Sequence, residues 1–375
     1  LSASGTSVAE GDSLTYTITA SASSDSDVTL TYNVLGDDNN NSVDKANGDD
    51  LDSLSGTVTI PAGSMSATFS ISPTADSLSE GLEGIKVTVF DGSLSSIGTS
   101  TALISNTAST ASSTTTLTAT ADVIAAGAGN DSISGIIQAT MANAATTVNA
   151  GDVIDGGAGS DTLKISATGA DGDANQTLSA LETTNVETIS VNNFATGTGT
   201  HIIDGLLMSG LTSVGLNASN ATGDTSFTNL TNLVDVFMMN GAASLSVGYG
   251  ATVVAGVTDV QNVTLSGVTN DTTNLTIAGV ETLNVTTSGT KSALNSIVAA
   301  NTTTLNISGD QNLAITTVPA TAGTIDASGL SGTLTLTTTF TPAAASLTGG
   351  SGNDTITVAS GELTATTTYE GGAGV

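Results

Sequence analysis

Asp152–Asp161 reads D-V-I-D-G-G-A-G-S-D, three aspartates and three glycines in ten residues, and leads straight into the alternating stretch T-L-K-I. Glycine reaches positive φ and leaves its carbonyl uncovered, and aspartate adds a carboxylate, so such a turn presents oxygen ligands. Oxygen sets suit hard cations, above all Ca²⁺, which takes about six to eight of them. A copy stands 30 residues earlier, D-V-I-A-A-G-A-G-N-D-S-I at Asp122–Ile133, with alanine at the first glycine position. A third, G-G-S-G-N-D-T-I-T-V, lies at Gly349–Val358, and Gly371–Gly374 begins a fourth. The candidate metal ligands are therefore Asp122, Gly127, Gly129 and Asp131; Asp152, Asp155, Gly157, Gly159 and Asp161; and Gly350, Gly352 and Asp354. One turn has too few oxygens for calcium, so each is half a site, completed by a neighbouring coil or by another subunit. The 30-residue offset predicts that the Ala126 and Gly156 turns stack on each other. The competing reading is a pair of tight Gly-Asp turns without metal; the shared D-V-I flanks favour calcium.

Other chemistry finds little support. His201 is the single histidine, and no G-x-S-x-G elbow accompanies it and Asp204. Zinc needs several His or Cys ligands, which the chain lacks. Aromatic residues make up 3% with no Trp, too few for a cleft that stacks sugars for paired carboxylates to hydrolyse. Glu182, Glu187 and Glu281 recur in V-E-T or L-E-T contexts, and the repetition points to a structural role. No G-K-[ST] follows a glycine run, so no phosphate loop is expected. The expectation is a protein that is not an enzyme.

The elements that carry the turns are strands. Thr, Ser, Ala, Gly, Val and Asn dominate, the good helix formers Lys, Glu and Arg are scarce, and mean hydropathy is +0.22 with orderly alternation. Net charge is −30 with four lysines and no arginine. That excludes most nucleic-acid binding and argues against anionic membranes, leaving a hard cation as the natural small partner. Cysteine is absent, so disulfides cannot staple the fold, and no run is long enough for a transmembrane helix. With no initiator Met or signal peptide, and a last stretch that breaks off in a glycine turn, the chain is expected to be a processed piece of something longer.

Residues 1–107 alternate apolar and polar side chains (Leu14, Tyr16, Ile18; Val28, Leu30, Tyr32, Val34; Ile85, Val87, Val89) between Gly, Asp, Asn and Pro, the pattern of a sandwich of about seven strands. This segment resembles the Calx-beta family: S-V-A-E-G-D at Ser7–Asp12, G-T-V-T-I-P-A-G at Gly56–Gly63, and the acidic close of Asp76, Glu80, Gly81 and Glu83. An Asn/Asp-rich insertion, Asp37–Asp52, replaces the family's central G-S-D-Y. The resemblance implies an end-of-domain calcium site with Glu10, Asp76, Glu80 and Glu83 as ligands; the alternative is that these acids solvate loops. Residues 108–121 are a Thr/Ser/Ala run, a linker or an edge strand.

Residues 122–165 hold the first two glycine turns, which resemble the RTX nonapeptide repeat G-G-x-G-x-D-x-U-x, whose stacked turns form a calcium-bound parallel β-roll. Residues 166–345 repeat short apolar pairs (V-E-T-I-S-V, V-Q-N-V-T-L, V-E-T-L-N-V, T-L-N-I) at spacings too irregular for a fixed-period solenoid but right for stacked short strands, with Thr and Asn ladders expected along the stack. Residues 346–375 bring further RTX-like turns. The fold class expected is all-β: an Ig-like, Calx-beta-like sandwich, then RTX-type turns and a β-solenoid or β-roll-like domain. Residues 122–375 resemble bacterial surface-layer (S-layer) proteins, on Ile325–Leu336 and the V-E-T strands. That resemblance implies an extracellular, cell-surface protein of a Gram-negative bacterium, exported by type I secretion. It would assemble with itself through Ca²⁺ and attach to lipopolysaccharide or surface glycans. The alternative expectation is a fragment of a large RTX/Calx-beta adhesin.

Overall fold

The computed structural model describes residues 1–36, 44–45, 51, 54–74, 83–105, 112–138, 145–169, 175–220, 222–269, 272–338, 345–358 and 367–374. The protein is all-β, with no helix among these residues and therefore none long and apolar enough to cross a membrane. It divides into two compact units, residues 1–112 with 125–129, and residues 113–124 with 130–375.

The first unit is a sandwich. One sheet pairs Ser2–Ala3, Leu14–Thr19 and Ser66–Ile71 antiparallel. The other orders Ser7–Ala9, Ser96–Ser105, Glu83–Phe90, Val28–Gly36 and Ser55–Ile60. The period of two sends Leu14, Tyr16 and Ile18 inward against Val34, Ile85, Val87, Val89 and Ile104, all buried. Phe69 stacks on Tyr16 and Tyr32, with ring centroids 5.4 and 4.1 Å apart. Gly56 is required where it stands, because an added Cβ would meet the Tyr32 ring.

The second unit is a parallel β-solenoid. A long sheet of twelve strands runs from Thr114–Thr116 to Thr368–Glu370, a second of nine from Gln176–Leu178 to Thr355–Val358, and a short third joins Val123–Ala125, Val153–Asp155 and Glu182–Thr184. Thr114–Thr116 already pairs with Ser132–Ser134, so the Thr/Ser/Ala run opens the long sheet as its edge strand. Apart from residues 125–129, the segments 122–165, 166–345 and 346–375 share this one unit. The physical reason is that strands of three to seven residues bury a face only by stacking, which leaves no place between coils for a core to close.

The core is a set of columns. Ile133, Leu163, Ile189, Val214, Val236, Val263, Val285 and Ile307 occupy one register position in eight successive strands. Each is buried, and each fully buried side chain of this size contributes about 1.5–3 kcal/mol. The irregular strand spacing of the sequence has a simple origin: strands of different sheets alternate along the chain. Followed down this column, the successive steps are 30, 26, 25, 22, 27, 22 and 22 residues.

Outward positions carry the expected ladders. Asn306 Nδ2 donates to Asn284 Oδ1 (2.8 Å), Asn284 Nδ2 to Asn262 Oδ1 (3.0 Å), and Asn262 Nδ2 to Asp235 Oδ1 (3.0 Å). Shorter rungs join Asn217 to Asn192, Asn295 to Asn274, Asn229 to Asp204 and Asn185 to Asp155. Asn284→Ala removes two rungs at once. It is expected to cost about 1–2 kcal/mol, read as a lower denaturant midpoint for the solenoid with an unchanged m-value.

Candidate functional site: the glycine-aspartate corners

Asp131, Asp161 and Glu187 each stand one residue before a long-sheet strand, at the same corner of successive coils. Their carboxylates bind back onto the preceding coil. Ser113 N–H donates to Asp131 Oδ1, Asp131 N–H to Asp161 Oδ1 (2.6 Å), and Asp161 N–H to Glu187 Oε2 (2.7 Å). Glu281 serves Asp259 N–H in the same way (2.9 Å). A main-chain amide at a coil corner has no sheet partner, and a carboxylate supplies a charge-assisted one. The repeated V-E-T glutamates Glu187 and Glu281 are thus corner caps.

Asp122 and Asp152 form a second such column. Asp122 accepts Thr118 N–H (2.7 Å) and the Thr118 hydroxyl (2.9 Å), while Asp152 accepts Asp122 N–H (3.0 Å) and Asn149 N–H (2.7 Å). Both oxygens of each acid are engaged. Asp152 is buried, and that burial raises its carboxyl above the ordinary range.

The Gly156 turn differs. Gly157 and Gly159 take φ of 82° and 133°, conformations that favour glycine. Gly157 N–H donates to Asp155 Oδ1 (3.0 Å), which also accepts Asn185 Nδ2 (2.9 Å). Asp161 is completely buried, and its Oδ2 accepts no hydrogen bond among the described residues. That oxygen faces Gly156, where an added Cβ would lie 2.7 Å from Asp161 Oδ2 and 2.0 Å from the carbonyl oxygen of Asn185. Burial raises the Asp161 carboxyl; the Asp131 amide opposes this, and the charges of Glu187, Asp131 and Asp155 add to it.

The same motif at Gly349 closes on itself. Gly350 N–H donates to Asp354 Oδ2 (2.7 Å) and Leu334 N–H to Asp354 Oδ1 (2.8 Å), so both oxygens are engaged. Here Thr348 precedes the glycines where Asp155 stands in the earlier turn, so the second glycine's amide is left for the motif's own aspartate. This turn leads into the second sheet, whereas the Gly156 turn leads into the long sheet. The Gly371–Gly374 run lies over it, with Ala373 N–H on Gly350 O (3.0 Å) and Gly349 N–H on Glu370 O (2.7 Å).

The last residues of the first two copies meet at the 30-residue offset: Ser160 N–H donates to Asn130 Oδ1 (2.9 Å) and Asp131 N–H to Asp161 Oδ1. Gly127 and Gly129 belong to the first unit. In the sandwich, Glu10 and Glu83 are buried at one end, beside Ser105 and opposite Ile104 respectively. Asp76 and Glu80 lie outside the described residues. Among the described residues no three His, Asp or Glu side chains gather to hold a metal on their own. A cation at these corners therefore needs main-chain carbonyls. Asn185, whose carbonyl faces the Gly156 turn, carries no sequence signal for that role. Glu187 carried one in the V-E-T repeat.

His201 faces inward on its strand, and Asp204, three residues on, faces outward, where its carboxylate accepts Leu206 N–H and Asn229 Nδ2. Alternation puts residues three apart on opposite faces, so the two do not form a dyad.

Known proteins offer little to compare. No family model matches the chain, and no curated protein does. Among solved structures, the crystal structure of CBD12 from CALX1.2 matches at 15% identity over 30% of this chain, with a TM-score of 0.22. The match spans 47% of that structure's own chain, less than half its length. A likeness of this size carries no argument about fold or function.

Proposed function

We propose that the chain is a secreted structural protein: a calcium-dependent, self-assembling surface-layer subunit of a bacterial cell envelope, located at the cell surface and exported by type I secretion. The observation that carries the reading is Asp161 Oδ2, an ionisable oxygen shut away from water and left without a donor beside Gly156 and the Asn185 carbonyl. A buried carboxylate oxygen without a partner is costly, and a bound cation removes that cost. The residues fit a calcium ion in kind, since a carboxylate, a main-chain carbonyl and the nearby acids Asp155 and Glu187 are all oxygen ligands. At the Gly349 turn, an ion would have to displace the Gly350 amide from Asp354.

Charge supplies the assembly step. Subunits at −30 repel one another until a divalent cation neutralises their carboxylates. Calcium affinities of extracellular modules fall near 10⁻⁴–10⁻³ M, on the order of external calcium, so contacts would form outside the cell. Lipopolysaccharide or another surface glycan is the proposed anchor. Electron microscopy of the protein in millimolar calcium and in chelator tests the reading: a sheet or tube is expected with calcium only. Separate particles in both conditions would overturn it.

A further inference from the structure

The outward faces of both large sheets carry asparagine rungs, Asn229–Asp204 and Asn295–Asn274 among them on the nine-stranded sheet, but one row of hydroxyls on the nine-stranded sheet stays unengaged. On the long sheet, Asn262, Asn284 and Asn306 bond to one another, and the Thr286 and Ser308 hydroxyls pair at 3.1 Å. On the nine-stranded sheet, Ser226, Ser246 and Thr276 occupy one register position in three successive strands, next to Ile202. Their hydroxyls make no hydrogen bond among the described residues. A parallel row two residues away holds Thr200, Asp224, Ser244 and Asn274; there Ser244 Oγ accepts Asn274 N–H (3.2 Å), and Asn274 Oδ1 accepts Asn295 Nδ2 (2.9 Å) and the Ser296 hydroxyl (2.6 Å). Asp224 accepts Ser244 N–H through Oδ1 (3.1 Å), and no described residue engages its other oxygen. Both rows line one hollow of about 350 Å³, a size in the lower range of ligand sites, about 300–1,000 Å³.

We propose that this hollow binds a linear, neutral polysaccharide lying along the stacking direction, one sugar to each coil. Three features define that ligand. Adjacent strands lie about 4.8 Å apart, close to the length of one pyranose unit in an extended chain, so successive hydroxyls meet successive sugars. The lining combines hydroxyls that donate and accept with a carboxylate that only accepts, a set suited to the paired hydroxyls of a sugar. A net charge of −30 keeps polyanions away, and the small polar floor gives an apolar peptide nothing to bury. The face would supply the glycan contact of the surface-layer reading, and it rests on that reading only for the polymer's source, because no calcium ligand takes part.

Affinity electrophoresis of the whole chain through gels containing dextran, yeast mannan, hydroxyethyl cellulose or heparin tests it. Retardation is expected with at least one neutral polymer, equally in calcium and in chelator, and not with heparin. Ser246→Tyr fills the hollow and should weaken retardation at least tenfold; the milder pair Ser226→Ala with Thr276→Ala should weaken it several-fold. Thr264→Tyr, outward on the long sheet, should change nothing. The proposal is overturned if no neutral polymer retards the chain, if heparin retards it most, or if both hollow variants behave like the parent. Loss of retardation in chelator alone would assign the binding to the calcium corners instead. Calcium-independent retardation without any calcium-dependent lattice would keep the hollow and remove the assembly reading.

Discussion

Gly156→Ala is expected to unfold the early coils of the solenoid, lowering its stability by about 3 kcal/mol, the upper part of the usual range for overpacking. The new methyl would sit 2.0 Å from the Asn185 carbonyl oxygen and 2.7 Å from Asp161 Oδ2. The first of these atoms is main chain, one coil on, and it cannot swing aside as a side-chain tip would. Moving it would stretch the pairing of Val153–Asp155 with Glu182–Thr184 on one side and of Thr162–Ala167 with Thr188–Asn193 on the other. Gly248→Ala is the control. Its Cβ would have only Phe227 O nearby, at 3.6 Å, so it should be neutral or slightly stabilising through the unfolded state. Equilibrium denaturation of both variants decides the matter; equal midpoints would show that the turn yields.

Asp161→Asn should reverse its effect with calcium. In chelator the amide carries no charge to desolvate and the variant is expected to be more stable than the parent, by about 1–2 kcal/mol, the scale of a buried polar group without a partner. In calcium the parent should gain about 1.4–2.7 kcal/mol at ten to a hundred times the dissociation constant, while the variant gains less, and the order inverts. The pH dependence follows the same logic. The folded Asp161 carboxyl is raised above its unfolded value, so in chelator the folded state binds the proton more tightly. This group's contribution is then largest below the unfolded value, about 3.9, and is lost as pH rises through the raised folded value. Asp152 acts in the same direction. Thermal melts across pH, with and without calcium, measure both effects. Parallel shifts of parent and variant under all conditions would remove Asp161 from the calcium reading.

The period-two alternation made the strands legible, and the shortness of each apolar pair made stacking legible, because no single strand could bury a face. The sheets were not legible. Strands of the two large sheets share the alternation polar–apolar–polar–apolar, so T-L-N-V at Thr282–Val285 and N-L-T-I at Asn274–Ile277 look alike, yet they belong to different sheets. The glycine-aspartate motif identified a tight turn but not its corner, and Gly156 and Gly349 serve different ones. The difference between Asp161 and Asp354 depends on one preceding residue, Asp155 against Thr348, whose effect is visible only in where an amide points. The Asn185 carbonyl is main chain, and composition is silent about main-chain direction.

Among the described residues, the rungs that join an outward asparagine to an asparagine or aspartate of the neighbouring coil all point one way. In every one, the amide of the later coil donates to the oxygen of the earlier coil, from Asn306 through Asn284 to Asn262 and likewise at Asn217, Asn295, Asn229 and Asn185. Aligned dipoles sum, as peptide dipoles do along a helix, and leave partial positive charge at the end where N–H groups emerge. Three of these ladders finish at that end on an aspartate: Asp235 under Asn262, Asp204 under Asn229 and Asp155 under Asn185. The stack therefore has electrical polarity, and its acids at these places act as the anionic N-caps of a stack with no helix among its described residues.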